Sequence, residues 1–322
     1  IGYKSTEPLQ KPFIMNPFRF GGAGGIGAWK ELARETVGSG STSDKIDVTG
    51  ITNKQYYMIL TSIISDGSTW CDARLNDDTA NYALRKSLNG ATDTTSTNYA
   101  FFLVPPNTFL TSYFMTTYIS NLVSKEKLGI ENCVDGSTAG SATAPDRYEG
   151  VSKWANTTDS ISSFSRQNDY TGDYASGSEI VVLGWDPSET HPVEDNFWQE
   201  LASVDWTSGD TISSGTITAK KYLWVQINWQ NTVSHYANLY FNADSNGANY
   251  ASRQSINGTA EQTSAPHNSG DPLFRVVGEG SGSIFLNNSV NMFIINNSAN
   301  EKLIIANGIQ ITTAGAGTAP DV

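Results

Sequence analysis

Apolar residues along this chain fall in short runs that keep a two-residue rhythm or none, and almost never a helical one. The segment DKIDVTGI at 44–51 alternates, with Ile46 and Val48 on one side, as a half-buried strand does. QYYMILTSII at 55–64 and KYLWVQINW at 221–229 are rich in aromatic and β-branched residues. So are TSYFMTTYISN at 111–121 and VNMFIINNS at 290–298, followed by EKLGIENCV at 126–134 and EKLIIANGI at 301–309. SISSFSRQND at 160–169 and GSEIVVLGW at 177–185 add two more strand signals. Between them lie turn sequences: SDGS, LNDD, LNG, DSNG, INGT, VDGS and TGDYASG. The one stretch open to a helical reading, AWKELARE at 28–35, reads equally as a first strand. The pattern predicts an all-β chain.

The strands recur in pairs because the chain repeats itself. WKELA at 29–33 returns as WQELA at 198–202, and ANYALRKSLNG at 80–90 returns as ANYASRQSING at 248–258, identical at eight of eleven positions. EKL at 126–128 returns at 301–303, and AGSATAPD at 139–146 as AGAGTAPD at 314–321. Ordered matches roughly 170 residues apart mark two copies of one domain, with insertions confined to loops. The division expected is an extended arm with a glycine-rich hinge at 1–28, a first domain at 29–186, a Pro-rich acidic linker at 187–196 and a second domain at 197–322. About eight short strands in a complete copy suggest two tandem antiparallel jelly-roll-type β-sandwiches. The first copy runs on past Asp146 through KWANTT and GSEIVVLGWDP, whereas the second stops at Val322, so the second is expected to lack its last strands. Three explanations stay open: a longer chain, strands donated by the arm or by another chain, or a smaller second copy.

The 322 residues are 38% apolar and 16% charged, less charge than a helical bundle carries. With 20 Lys and Arg against 32 Asp and Glu the formal charge is −12, which disfavours a phosphate backbone as partner. No apolar run approaches the roughly 18 residues of a membrane-spanning helix, so no membrane insertion is expected. The arm carries Phe13, Ile14, Met15, Phe18 and Phe20, more bulk than a tether needs; it reads either as packing on its own domain or as anchoring to a neighbouring subunit. Cys71 and Cys133 face Ala237 and Gly308 in the aligned copy, so a bridge is not required by the fold and free thiols are expected.

Catalytic patterns are missing. His191, His235 and His267 lack metal-type spacing, and no G-x-S-x-G, H-E-x-x-H or P-loop motif occurs. The GGAGGIG stretch at 21–27 follows no strand signal and does not end in a Lys-Ser/Thr pair. Acid pairs at Asp77–Asp78 and Glu194–Asp195 read as turn and linker residues, and no catalytic residues are assigned. Asn76 and Asp78, with Asn242 and Asp244, repeat an N-x-D that could hold a structural Ca²⁺ or simply make tight turns; no other cofactor is expected. Arg85 and Arg253, each following a Tyr in the repeated motif, could face a sugar or carboxylate, or could sit outward on a strand ending in an Asn-Gly hairpin. Trp206, Trp229 and Tyr236 belong to an aromatic set enriched in the second copy and are candidate ring-stacking contacts; Trp224, aligned with Met58, reads as core.

Trp29, Glu31 and Leu32 near the domain start, Asn81, Tyr82, Arg85, Asn89 and Gly90 in the middle, and Lys153, Trp154, Gly177, Ser178, Glu179 and Asp186 at the end form a pattern. It resembles the repeated β domains of virion structural proteins found in phages of marine microbes. The first copy carries all of it, the second all but the last part, and the arm none. The resemblance implies a non-enzymatic capsid, capsid-associated, fibre or tail component, located in the virion or extracellular. Its expected partners are further copies of itself and other virion proteins. A double-jelly-roll major capsid protein and a pair of carbohydrate- or receptor-binding modules, the latter contacting a host-surface glycan, are the alternatives. The linker suggests two beads rather than a fused block.

Overall fold

The computed structural model describes residues 29–103, 112–136, 138–189, 191–205, 207–209, 211–230, 238–267 and 287–311. The arm, including Phe13, Ile14, Met15, Phe18 and Phe20, lies outside them, as do Trp206, Tyr236, His235 and the last eleven residues.

The chain is all-β, and among the described residues every strand pairing is antiparallel. Among the described residues the helical turns are two short 3-10 turns, Val193–Asp195 and Gly247–Asn249. AWKELARE is a strand: Lys30–Thr36 forms β1. In the first copy β2 (Thr42–Ser43), β3 (Lys45–Thr49), β4 (Tyr56–Ile63), β5 (Ser65–Asp66), β6 (Asp72–Leu75), β7 (Tyr82–Leu88) and β8 (Thr94–Tyr99) follow. Then come β9 (Tyr113–Ser120), β10 (Lys127–Asp135), β11 (Asp146–Trp154), β12 (Ser163–Gln167), β13 (Asp173–Ala175) and β14 (Glu179–Trp185). The second copy supplies β15 (Tyr222–Trp229), β16 (Ser252–Gln254), β17 (Gln262–Ser264), β18 (Asn287–Ile295) and β19 (Leu303–Ile311).

Eight strands make one large sheet in the order β1-β14-β4-β9-β10-β11-β7-β8. Two small sheets, β3-β12-β6 and β2-β13-β5, complete the first copy. The pairing is nested: β1 pairs β14, β2 pairs β13 and β3 pairs β12, so the two ends of the repeat fold back along each other. The main core lies between the large sheet and the small ones. Tyr57, Ile59 and Ile63 of β4, Met115 and Ile119 of β9, and Ile180 and Val182 of β14 meet Ile46, Val48, Phe164 and Tyr174 there.

The opposite face of the large sheet is buried too. Met58 and Leu60, Phe114, and Val181 and Leu183 alternate with the inward residues and pack on Trp198, Tyr222, Phe293, Ile295, Leu303 and Ile305 of the second copy. This is why β4 and β14 carry apolar residues at successive positions, YYMIL and IVVL: strands covered on both faces have no solvent side to keep polar. The two copies are therefore joined through a shared core and are not separate beads. The 187–196 stretch follows the same surface, through Lys30 to Asp195 at 3.0 Å, Lys54 to Glu189, and the Phe197 N–H donating to Trp29 O at 2.8 Å.

The repeat is exact at the level of register. In β4-β9-β10 Tyr56 faces Ser120, which faces Leu128; in β15-β18-β19 Tyr222 faces Ile295, which faces Leu303. In the hairpins Arg85 faces Thr95 and Arg253 faces Thr263. The hairpin turns repeat as well. Asn89-Gly90 and Asn257-Gly258 all have positive φ, between 51° and 67°, the geometry that favours Asn-Gly in two-residue turns. WQELA does not follow WKELA into a strand: residues 198–202 have no regular pairing, and Trp198 plugs the joint between the copies.

Candidate functional site

A cleft of about 570 Å³ lies between the copies. Its first wall is the end of β10, the β10–β11 loop and the start of β11; its second is the 241–256 segment with β19. Arg253 crosses it. Its Nε donates to Pro145 O at 2.7 Å, one terminal nitrogen lies 3.1 Å from Glu261 Oε2, and the other 3.5 Å from Asp146 Oδ1. Arg147 meets the same Glu261 at 2.8 Å and Glu149 at 3.3 Å. Asp146 accepts from Asn89 Nδ2 at 2.7 Å, and Asn89 Oδ1 accepts the Arg147 N–H at 2.8 Å. Glu261, with its side chain 7% exposed, is thus clamped between an arginine of each copy. At the other end Gly140 N donates to Glu301 and Ser141 Oγ to Ala248 O.

The repeated arginines have different surroundings. Arg85 pairs with Asp93 at 3.3 Å on an open surface, 58% exposed, while Arg253 makes the equivalent pair with Glu261 inside the cleft. In the first copy Tyr82 points inward, with its hydroxyl bonded to Leu75 N and O at 3.1 and 3.0 Å, and Arg85 points outward. Tyr250 lines the cleft; its hydroxyl donates to Asp244 O at 3.1 Å, and burial raises its pKa. Arg253, Asn242 and Asp244 are sequence candidates that the fold brings to the cleft, beside Tyr250 and Phe241. Trp229, half-buried at the end of β15, lies elsewhere.

The N-x-D loops are turns, and the side-chain oxygens of Asn76, Asp78 and Asp244 accept hydrogen bonds. Asn76 Oδ1 accepts the N–H groups of Ser162 and Ser163 at 2.8 and 3.1 Å. Asp78 accepts from Ala80 N at 3.1 Å and from the Trp154 indole at 2.7 Å. Asn242 sits at φ 53° in the matching turn. Asp244 accepts from Asn246 N at 3.0 Å and Asn249 Nδ2 at 2.8 Å, which hold its carboxyl below the usual range. Among the described residues no group of three or more His, Cys, Asp or Glu side chains converges as a metal site. Among them, too, no helix is long and apolar enough to cross a membrane.

A second polar joint lies away from the cleft. Glu179 of β14 meets Arg34 at 2.8 Å and Lys221 at 3.2 Å, and accepts from the hydroxyls of Thr36 at 3.0 Å and Tyr222 at 2.8 Å. Burial pushes its carboxyl up, but Lys221, Tyr222 and Arg34 outweigh it and hold the pKa low. Lys221 and Tyr222 belong to the second copy, so this carboxylate also ties the copies together. Sequence reading named Glu179 only as part of the resemblance pattern and did not name Glu261; the partners of Glu179, and Arg147 against Glu261, come from strands far apart in the chain. Cys71 and Cys133 are buried free thiols, both raised by burial, Cys71 to about 11.

No family model, curated protein or solved structure matches the chain.

Proposed function

We propose that this chain is a non-enzymatic structural component of a virus particle, a capsid, capsid-associated or fibre/tail protein, built from two jelly-roll-type repeats. The nested pairing of β1 with β14, β2 with β13 and β3 with β12 supports the jelly-roll reading, in which a long antiparallel fold-back wraps into two facing sheets. The observation that carries the assembly role is the joint between copies: one repeat already docks its sheet on the sheet of the other through a shared apolar core. Broad sheet faces that stack this way tile well in symmetric assemblies. The fused joint also favours a double-jelly-roll capsid protein over a string of beads. Further partners are other copies of the chain and other virion proteins.

Immunogold labelling of native particles with an antibody to the chain tests this. Gold on a shell or a projecting fibre is expected; particles that never label, with the antigen found only in soluble fractions, refute it.

The cleft favours a second reading as a glycan-binding module. Arginine, carboxylate and amide groups beside Tyr250 and Phe241 are the groups that hold sugar hydroxyls and ring faces. A glycan array separates the two: binding abolished by Arg253→Ala supports recognition, and no binding at high protein concentration removes it.

A further inference from the structure

Two large aromatic side chains stand out from the first copy together. Trp70 is 38% exposed and Tyr170 47%, and their rings lie nearly parallel, 10° apart, with centroids at 5.6 Å. This is the offset-stacked arrangement, which leaves part of each ring face open. The rings sit on two loops, 67–71 between β5 and β6 and 168–172 between β12 and β13. The repeat keeps a ring here: the alignment that sets Asn76 on Asn242 and Asp78 on Asp244 sets Trp70 on Tyr236.

The fold holds both rings in place, largely through one buried amide. Asn168, 5% exposed, accepts through Oδ1 the backbone N–H of Trp70 at 2.8 Å and that of Tyr170 at 3.1 Å. Its Nδ2 donates to Gly172 O. Gly172 N donates to Ser68 O at 2.7 Å, and the Tyr174 hydroxyl donates to Trp70 O at 2.7 Å. The loops approach so closely that a Cβ at Gly172 would lie 2.7 Å from Asp66 O and from Ser68 O. A single exposed ring is ordinary, but two rings exposed side by side on interlocked loops form a preorganised surface that loses little entropy when used.

Size and charge choose the ligand. Two part-exposed side chains offer far less than the roughly 800 Å² per partner of a stable protein interface. Parallel rings make a flat shelf, not the box of rings that encloses a quaternary ammonium group. Neither loop carries a Lys or Arg, and acids border them: Asp66 and Asp173, which face each other in the β5–β13 pair, and the exposed Asp169 beside Tyr170. That field repels an anion. A flat apolar surface edged by hydrogen-bonding groups matches a pyranose ring, with C–H groups on its face and hydroxyls around its rim. We propose that Trp70 and Tyr170 form a stacking site for an uncharged sugar ring, whose hydroxyls meet Asp169 and Gln167, themselves paired at 3.1 Å. The site shares no lining residue with the cleft and rests on neither reading above.

A glycan array bearing uncharged, sialylated and sulfated oligosaccharides tests it, followed by calorimetric titration of the full chain with the tightest uncharged binder; circular dichroism confirms that each variant folds. Binding of an uncharged glycan is expected. Trp70→Leu and Tyr170→Leu keep apolar bulk but lose the flat ring, and are expected to weaken binding at least about tenfold, whereas Trp70→Tyr keeps most of it. No binding to any uncharged glycan, or Trp70→Leu binding as tightly as wild type, overturns the site. So does binding confined to sialylated or sulfated glycans, or loss with Arg253→Ala but not with Trp70→Leu, which assigns recognition to the cleft. Tetramethylammonium binding that Trp70→Leu abolishes, with no sugar bound, overturns it in favour of a cation site. Hydroxyl-radical labelling of the wild-type chain needs no variant: bound glycan is expected to protect Trp70 and Tyr170, and equal labelling with and without it overturns the site.

Discussion

Replacing Asp72 by Asn removes a charge that the fold holds at a disadvantage. Asp72 opens β6, is 1% exposed, and neither carboxylate oxygen receives a hydrogen bond. Burial, reinforced by Asp169, pushes its carboxyl up to about 7, against the pull of Lys86, Arg166 and Arg74. From an ordinary value near 4, a rise of that size corresponds to roughly 4 kcal/mol of folding free energy. The direction follows from proton counts. Below about pH 4 both folded and unfolded chains hold the proton and nothing is lost. Between about 4 and 7 the folded chain keeps a proton that the unfolded chain has released, so stability falls as pH rises, and the loss is complete above about 7.

Asn carries no charge and has no such slope, but its buried amide still needs partners, at a cost of about 1–3 kcal/mol where they are missing. The expected result is a variant no better than wild type near pH 4 and more stable by about 1–3 kcal/mol near pH 8. Urea unfolding of both proteins at a series of pH values measures this, and titrating groups that do not interact with Asp72 cancel in the difference between the two curves. Parallel curves for wild type and Asp72→Asn from pH 4 to 8 would refute the reasoning.

Three further outcomes follow from the same geometry. Arg166 and Glu131 form an ion pair with both side chains fully buried, where Thr117 Oγ1 also donates to Glu131 at 2.6 Å and Arg166 to Cys71 O at 3.1 Å; Arg166→Met leaves that buried carboxylate without its cation and is expected to cost about 3–5 kcal/mol in urea unfolding. Glu179 has a lowered pKa, so its contribution is present above the ordinary glutamate range and is lost as pH falls through the folded value; Glu179→Gln is expected to flatten the acid limb of the stability curve, and an unchanged limb counts against the joint. Trp198→Ala empties the shared core between Trp224 at 5.4 Å and Phe293 at 5.9 Å, with an expected loss of about 3–5 kcal/mol and faster proteolysis of the second copy in limited trypsin digestion.

Much of the architecture was legible because local rules and the repeat agreed. Alternation in DKIDVTGI gave β3, the Asn-Gly pairs gave two turns with positive φ, and β15, β16, β18 and β19 repeat the register of β4, β7, β9 and β10. The third layer was written in the sequence too, though less plainly. YYMILTSI and EIVVLGW are apolar at successive positions, the signal of strands buried on both faces, but a strand of an ordinary sandwich with a few stray apolar residues reads the same way. The candidate site was harder. Arg253 was found through its motif and Glu261 pairs with it across a local hairpin, whereas Asp146 and Arg147 meet this pair only through the docking of one copy on the other, which no spacing along the chain encodes.

That docking explains how nearly identical sequences come to different uses. A repeated motif fixes what is local: the Asn-Gly turn, the strand register, and the pairing of Arg with the acid across the hairpin, Arg85 with Asp93 and Arg253 with Glu261. Whether the pair is solvated or buried depends on the neighbour. Gly90 illustrates the dependence: at φ 65° it makes the first hairpin's turn, and a Cβ placed there would lie 2.8 Å from Glu261 Cγ of the second copy. The same glycine thus serves its own turn and leaves room for the other copy's acid, whereas nothing lies within 4 Å of a Cβ placed at its counterpart Gly258. An alanine at position 90 would therefore disturb both the hairpin and the joint, and at 258 the hairpin alone, so the difference in stability loss between the two substitutions isolates what the close approach of the copies contributes.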